Sequence, residues 1–309
     1  MYAPPKPVSA SIFTRMPDAF RKPQRTAWGD ANAAGMSLDC FLEGPSFDRD
    51  GNLYVTDIPF GRIFRISPAG DWTLVAEYDG WPNGLKIHRD GRIFITDYKR
   101  GIVLLDPASG TVTPLIETAK SESFKGVNDL FLAANGDLYF TDQGQTGLHD
   151  PTGRVYRYST AGRLDCLIDT VPSPNGLVMN LHETVLYVGV TRANAIWRLP
   201  LMADGAVSKV GLFVQMSGGH AGPDGVALDA EGGLVVAHPS TSVWRFDALG
   251  RPTHVLDAGD DIFCTNIAFG GSDNRSLHAV VSRRSGKIDA GVILRADMPV
   301  PGKPMFSHA

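Results

Sequence analysis

The sequence predicts an all-β fold, a six-bladed β-propeller with four-stranded antiparallel blades. Three observations carry that prediction. A unit of strand, Asp-Gly-type turn and strand recurs along the chain. Six copies follow one another at a spacing of about 40 to 50 residues, the period of a propeller blade. Each copy also runs into a third segment rich in aromatic, aliphatic and arginine residues.

The first copy, "EGPSFDRDGNLYVTD", carries in its second half the Leu, Tyr, Val and Thr of a strand. Its "DRDGN" resembles a calcium loop, but such a loop places glycine sixth and glutamate twelfth. Counted from Asp48, Gly51 is fourth and Pro59 is twelfth, so the segment reads as a hairpin turn. "PNGLKIHRDGRIFITD" and "GVNDLFLAANGDLYFTD" repeat the pattern, and three looser copies begin at "PNGLVMN", "GPDGVALD" and "CTNIAFGG". The third strands are "GRIFRIS", "GIVLLD", "GRVYRYS", "NAIWRLP", "TSVWRFD" and "GVILRAD". Fourth strands such as "WTLVAEY", "TVTPLIE" and "PTHVLD" complete most units. Residues 1–42 form an N-terminal segment long enough to hold a strand that closes the ring. The expectation is one propeller domain over 1–309, with blades starting near 43, 83, 128, 175, 224 and 266.

Composition agrees with a turn-dense globular fold: 43% hydrophobic, 20% charged, 34 glycines. A net charge of -4 without a long basic run excludes a nucleic-acid footprint. No apolar stretch approaches the roughly 18 residues that span a bilayer. The N-terminus lacks the apolar core of a secretory signal. Three cysteines, Cys40, Cys166 and Cys264, argue against a disulfide framework. A reduced, cytoplasmic protein is expected, with no membrane partner; composition leaves the oligomeric state open.

Aligning the units on their turns places Glu43, Asn83, Asn128, Asn175, Asp224 and Asn266 in one slot, at spacings of 40, 45, 47, 49 and 42 residues. That slot heads the innermost strand, so six oxygen-bearing side chains converge on the channel axis. Asn in a Pro-Asn-Gly tripeptide is ordinary turn chemistry. "LEGPS", "GVNDL" and "CTNIA" are not turn sequences, yet they hold the same kind of side chain there. Buried carboxyl and amide groups facing one axis call for a cation or ordered water. Oxygen donors without Cys or His select a hard cation, and loose coordination by six to eight oxygens selects calcium first. Zinc, manganese and iron are the alternatives.

The loops between second and third strands surround the same channel mouth. Asp142–Gly153 is the longest compact one and a candidate lid. Gln143, Arg192 and Arg283 from these loops are candidate substrate contacts, as is His220, four residues before Asp224. No Gly-x-Ser-x-Gly elbow occurs, which removes one esterase reading.

"LEGPSFDRDGNLYVTD", "GVNDLFLAANGDLYFTDQG", "SPNGL", "GPDGVALD" and the tail "ILRADMPVPGKPMF" together resemble the regucalcin/gluconolactonase-like family, which is related to diisopropylfluorophosphatase. The resemblance covers nearly the whole chain from about residue 40. It implies a six-bladed propeller with one catalytic divalent cation in the channel, hydrolysing a small lactone. The family's metal ligands fall on Glu43, Asn128, Asn175 and Asp224, with Asn83 and Asn266 beside them. In that reading Asn128 and Asn175 also bind substrate, with Gln143 and His220, and Asp224 is the catalytic residue, as base or as nucleophile. One departure stands out: animal-type members place an arginine two residues before the third-blade asparagine, and here that residue is Gly126. A phosphotriesterase of the diisopropylfluorophosphatase kind and a non-catalytic calcium-binding propeller are the rival readings.

Overall fold

The computed structural model describes residues 2–239, 241–259, 261–283 and 289–308. The chain forms an all-β, propeller-like fold of four-stranded antiparallel sheets. Four of these sheets stand alone. The first contains Leu42–Phe47, Leu53–Asp57, Arg62–Ile66 and Trp72–Glu77. The next three open with Pro82–Ile87, Val127–Leu132 and Pro174–Met179. Asp48 accepts from the backbone of Asp50 and Asn52, so "DRDGN" is a hairpin turn as expected.

The last two units differ from the separate blades expected of them: they are fused into one eight-stranded sheet. The cause is the length of the N-terminal strand β1 (Lys6–Arg15), at ten residues. Its first half runs parallel to Pro252–Asp257, pairing Lys6 with His254 through Ser9 with Asp257. Its second half runs antiparallel to Val292–Asp297, pairing Ala10 with Ala296 and Arg15 with Val292. The residues before position 42 thus supply the outermost strand of the last unit and bond it to its neighbour. The first strands of all units touch in a closed cycle, from Leu42–Phe47 round to Phe263–Gly270 and back.

The cycle is tied internally by a hydroxyl at the end of the second strand. Thr56 Oγ1 donates to the carbonyl of Asn83 at 2.6 Å, and Thr141 Oγ1 to that of Asn175 at 2.9 Å. Thr96 does the same to Asn128, and Ser282 to Leu42. The recurring "TD" of the sequence therefore has two tasks. The threonine holds the neighbouring unit, while the aspartate folds back on its own: Asp57 accepts from Phe41 N and Asp142 from Gly126 N, both at 2.8 Å.

The far end of the channel is crossed by the C-terminal tail. Lys303 N donates to Leu228 O and Gly302 N to Asn274 O, both at 2.8 Å. Lys303 Nζ pairs with Glu183 at 2.9 Å, and Arg49 Nε bonds Ser307 O at 2.7 Å. Phe306 is buried against the rings of His88 and the guanidinium of Arg89. Between the tail and the inner strands lies an apolar cavity of ≈ 330 Å³ lined by Leu132, Leu177, Val226, Ile267 and Phe306 among others. All three cysteines are free thiols. Among the described residues no helix is long and apolar enough to cross a membrane.

Two predictions follow from this packing. Thr141 Oγ1 meets both Asn175 O and Asp129 N, so Thr141→Val leaves two buried groups without a partner. The expected loss is about 1–3 kcal/mol in urea unfolding, largely recovered by Thr141→Ser; a variant as stable as wild type would refute the tie. His278 is wedged between the rings of Phe13 and Phe47, and burial, helped by Arg295 and opposed by Ser276 O and Asp297, pushes its pKa down to about 4. A folded value below the unfolded one of about 6.5 means the stability is complete above pH ~6.5 and lost as pH falls through ~4. Unfolding measured at pH 7.5 and 4.5 should lose about 2–3 kcal/mol between the two, and His278→Leu should flatten that difference. An unchanged difference would take His278 out of the acid response.

Candidate active site

The channel residues owe their aim to bulges. Against the second strand, register slips between Glu43 and Ser46, Pro82 and Leu85, Val127 and Leu130, Pro174 and Leu177, and Cys264 and Asn266. A bulge bends the strand and re-aims a side chain. The next unit's backbone then comes so close that the following residue must lack a Cβ: one added at Gly44 would stand 2.4 Å from Asn83 O, and one at Gly176 2.4 Å from Asp224 O.

Glu43, Asn83, Asn128, Asn175 and Asn266 are all buried. Asp224, two residues ahead of Val226–Leu228, retains accessible surface. Its backbone is pinned by Asp224 N to Ala237 O at 2.9 Å and Gly176 N to Asp224 O at 3.1 Å. Asn266 turns its amide NH₂ toward Glu43 Oε2 at 2.9 Å and Asp129 Oδ2 at 3.3 Å, while its Oδ1 accepts from Ile267 N. Its oxygen is therefore committed, and Asn266 serves the carboxylates as a donor. Asn128 donates Nδ2 to Gln143 Oε1 at 2.7 Å, and Gln143 Nε2 donates to Ser173 Oγ at 2.9 Å. Asn83 Oδ1 is buried without a hydrogen-bond partner.

Asp129 belongs to this cluster and was not foreseen. It occupies the slot one residue after the ring, where Gly44, Gly84, Gly176 and Gly225 stand in other units, and it is buried. That departure from glycine was the available signal. Glu43 and Asp129 meet at the amide of Asn266, and Asp224 feels the charge of both. Burial, then Asp129, pushes Glu43 up to about 7, against the amide of Asn266 and Gly44 N. Burial, then the charges of Glu43 and Asp129, pushes Asp224 well above the carboxylate range, with Asn175 and Arg192 pulling the other way. Among the described residues no three His, Cys, Asp or Glu side chains converge as a metal cluster; the set is carboxylates with amide oxygens.

Above the ring opens a pocket of ≈ 500 Å³ lined by Asn32, Gln143, Gln145, His149, Ser173 and Arg192, with glycines between them. The loop after Asp142 lines it. A second cover was not expected: the short helix α1 (Ala27–Asn32), capped by Thr26 Oγ1 on Gly29 N. Gln145 Nε2 donates to Asn32 Oδ1 at 3.0 Å and to Tyr98 OH at 3.1 Å. Arg283 Nη2 donates to Asn32 O at 3.1 Å, and its guanidinium lies over the rings of Phe41 and Phe263. Arg283 thus holds α1 in place. The Tyr98 ring fills the space beside Gly126, where a Cβ would stand 2.3 Å from it.

His220 is exposed and does not line the pocket. The buried histidine near this mouth is His238, whose Nε2 meets Asn194 Oδ1 and whose Nδ1 meets Thr241 Oγ1, both at 2.8 Å. With both nitrogens engaged and its pKa lowered by burial, it is a structural group. Of the loops named from sequence, Ser240 in "HPSTS" and 284–288 in "SRRSGKIDAG" lie outside the described residues.

Residues 41–283 match the family model described as "SMP-30/Gluconolactonase/LRE-like region". The lactonase drp35 of Staphylococcus aureus (strain MRSA252) is 30% identical over 73% of this chain and 71% of its own length. A calcium-binding protein, regucalcin, from Agrobacterium tumefaciens superposes with a TM-score of 0.78 at 22% identity, covering 100% of both chains. A gluconolactonase from Xanthomonas campestris gives 0.72 at 20% identity over 96% of this chain and 98% of that one. The chain belongs to the SMP-30/gluconolactonase/LRE-like family.

Proposed function

We propose that this protein is a lactone hydrolase whose active site is the ring at the base of the mouth pocket. The observation that carries the reading is the desolvated carboxyl set of the ring, Glu43 beside Asp129 at the amide of Asn266 and Asp224 raised by the charge of both, next to a polar pocket reached through the Asn128–Gln143 hydrogen bond. We read the eight-stranded sheet as two blades joined through β1, giving six blades in a single domain. The names of relatives support the chemistry: a lactonase, a gluconolactonase and a calcium-binding regucalcin.

Glu43, Asn128, Asn175 and Asp224 would hold one divalent cation. The fit rests on the repelling carboxyls, the orphaned Asn83 Oδ1 and the absence of softer donors from the set, which together suit a hard ion, calcium first. When bound, such an ion supplies positive charge to the oxygen of the lactone carbonyl as it becomes negative. Asp224 is the ring carboxylate that retains accessible surface, so it accepts the proton of the attacking water. The water oxygen bonds to the carbonyl carbon, the ring C–O bond breaks, and the ring oxygen takes a proton and leaves as a hydroxyl. Gln143, held by Asn128 and Ser173, orients the substrate from the pocket wall.

Asp224→Asn should lower kcat/KM on lactones by about 10²–10⁴-fold, with an unchanged circular dichroism spectrum; near-full activity would remove Asp224 from the step. Chelation should abolish hydrolysis across a panel of aldono-, simple γ- and δ- and aromatic lactones, with calcium, manganese or zinc restoring it. Flat traces with every cation, alongside a calcium-dependent rise in Tm, would mean that the ring binds metal without catalysis.

A further inference from the structure

The mouth pocket is lopsided in charge. Its lining holds one arginine, Arg192, and one histidine, His149, and no aspartate or glutamate. The two side chains flank the same point: a Cβ on Gly147 would stand 3.5 Å from Arg192 Cγ and 3.1 Å from His149 Nδ1. Other cations around this end of the molecule have partners. Arg62 is paired with Asp57, Arg154 bonds Tyr156, Lys125 bonds Thr152 and Arg283 bonds Asn32. Arg192 is exposed, and among the described residues it has no hydrogen bond, ion pair or aromatic face. It lines the same pocket as Gln143, whose Oε1 accepts from the ring residue Asn128.

We propose that the substrate carries an anionic group, a carboxylate on or beside the lactone ring, and that Arg192 at the rim of the mouth pocket binds it and so determines specificity. This rests on the lactonase reading and narrows it. Arg192 is the only arginine or lysine in the pocket lining, so an anionic substituent is held at the rim and the ester end of the molecule is left to face Gln143 and the ring residue Asn128 that it bonds. The neutral donors between, Gln143 and Ser173, suit the uncharged ring that lies there.

The test compares 5-oxotetrahydrofuran-3-carboxylate with its primary carboxamide, two γ-lactones of nearly the same shape that differ in charge. Wild type should favour the carboxylate about 10- to 100-fold in kcat/KM, the range of a charge-assisted hydrogen bond, with the preference expressed in KM and weakened by salt. Arg192→Gln should bring the ratio close to one, and Arg192→Lys should recover part of it. Equal use of both lactones by wild type overturns the proposal. So does an Arg192→Gln variant that loses both to the same degree, since Arg192 would then act only on Asp224. Tetrahydrofuran-3-carboxylate, which has no ester to cleave, supplies a binding arm read by calorimetry. If neither lactone is hydrolysed with any cation, the lactonase reading fails on its own; binding of this probe to wild type and not to Arg192→Gln still upholds the anion site, and no binding to wild type rejects it.

Discussion

The ring of oxygen donors depends on a hydroxyl that reaches across from one unit to the next. Thr56, Thr96 and Thr141 each donate to the carbonyl of the neighbour's ring residue, and Ser282 does so one residue before Glu43. With its carbonyl held from behind, a ring residue can direct its side chain only toward the axis. Where a glycine follows it, as at Gly44, Gly84, Gly176 and Gly225, the adjoining unit closes to within contact. Where the hydroxyl is absent, after Val188, Gly189 stands in the slot and Gly176 N bonds Asp224 O directly. The geometry of the site is thus a property of the joints between units, not of any single loop.

Those joints were legible because they repeat. The turn-aligned slot, the "TD" at the end of second strands and the third-strand arginines all fall at a fixed offset, and the structure places them in equivalent positions. What broke the period was harder to read. Asp129 sits one residue past the aligned slot, on a strand where the repeat itself does not mark it. Helix α1 has six residues, too short to form from its own propensity, and exists because Trp28 packs on Phe41 and Asn32 is held by Gln145 and Arg283. His220 had the right distance along the chain but faces solvent, whereas His238, reached through the strand that ends there, is buried. The fusion of the last two sheets depends on which strands the two halves of β1 meet, a long-range fact that local pattern does not encode.

The tail and β1 explain how the ring tolerates its own chemistry. Burial and neighbouring charge push Glu43 and Asp224 up, a cost that the rest of the packing offsets. Both ends of the chain contribute to that packing. β1 bonds two neighbouring units along their outer strands, and the tail bonds to the chain at Arg49, Glu183, Leu228 and Asn274 beneath the channel.

The same tail makes the two ends of the channel unlike: at the far end the lining turns apolar, with Leu132, Leu177, Val226 and Ile267 facing the cavity shared with Met305 and Phe306. The mouth, with Asn32, Gln143, Gln145 and Arg192, is the polar end and the one suited to an ion or a polar substrate. Selectivity can then be set by a few side chains at the rim while the ring beneath stays the same. The loop after Asp142 and the segment before Phe41 differ in kind from the repeating strands, and both meet at Asn32 beside the site.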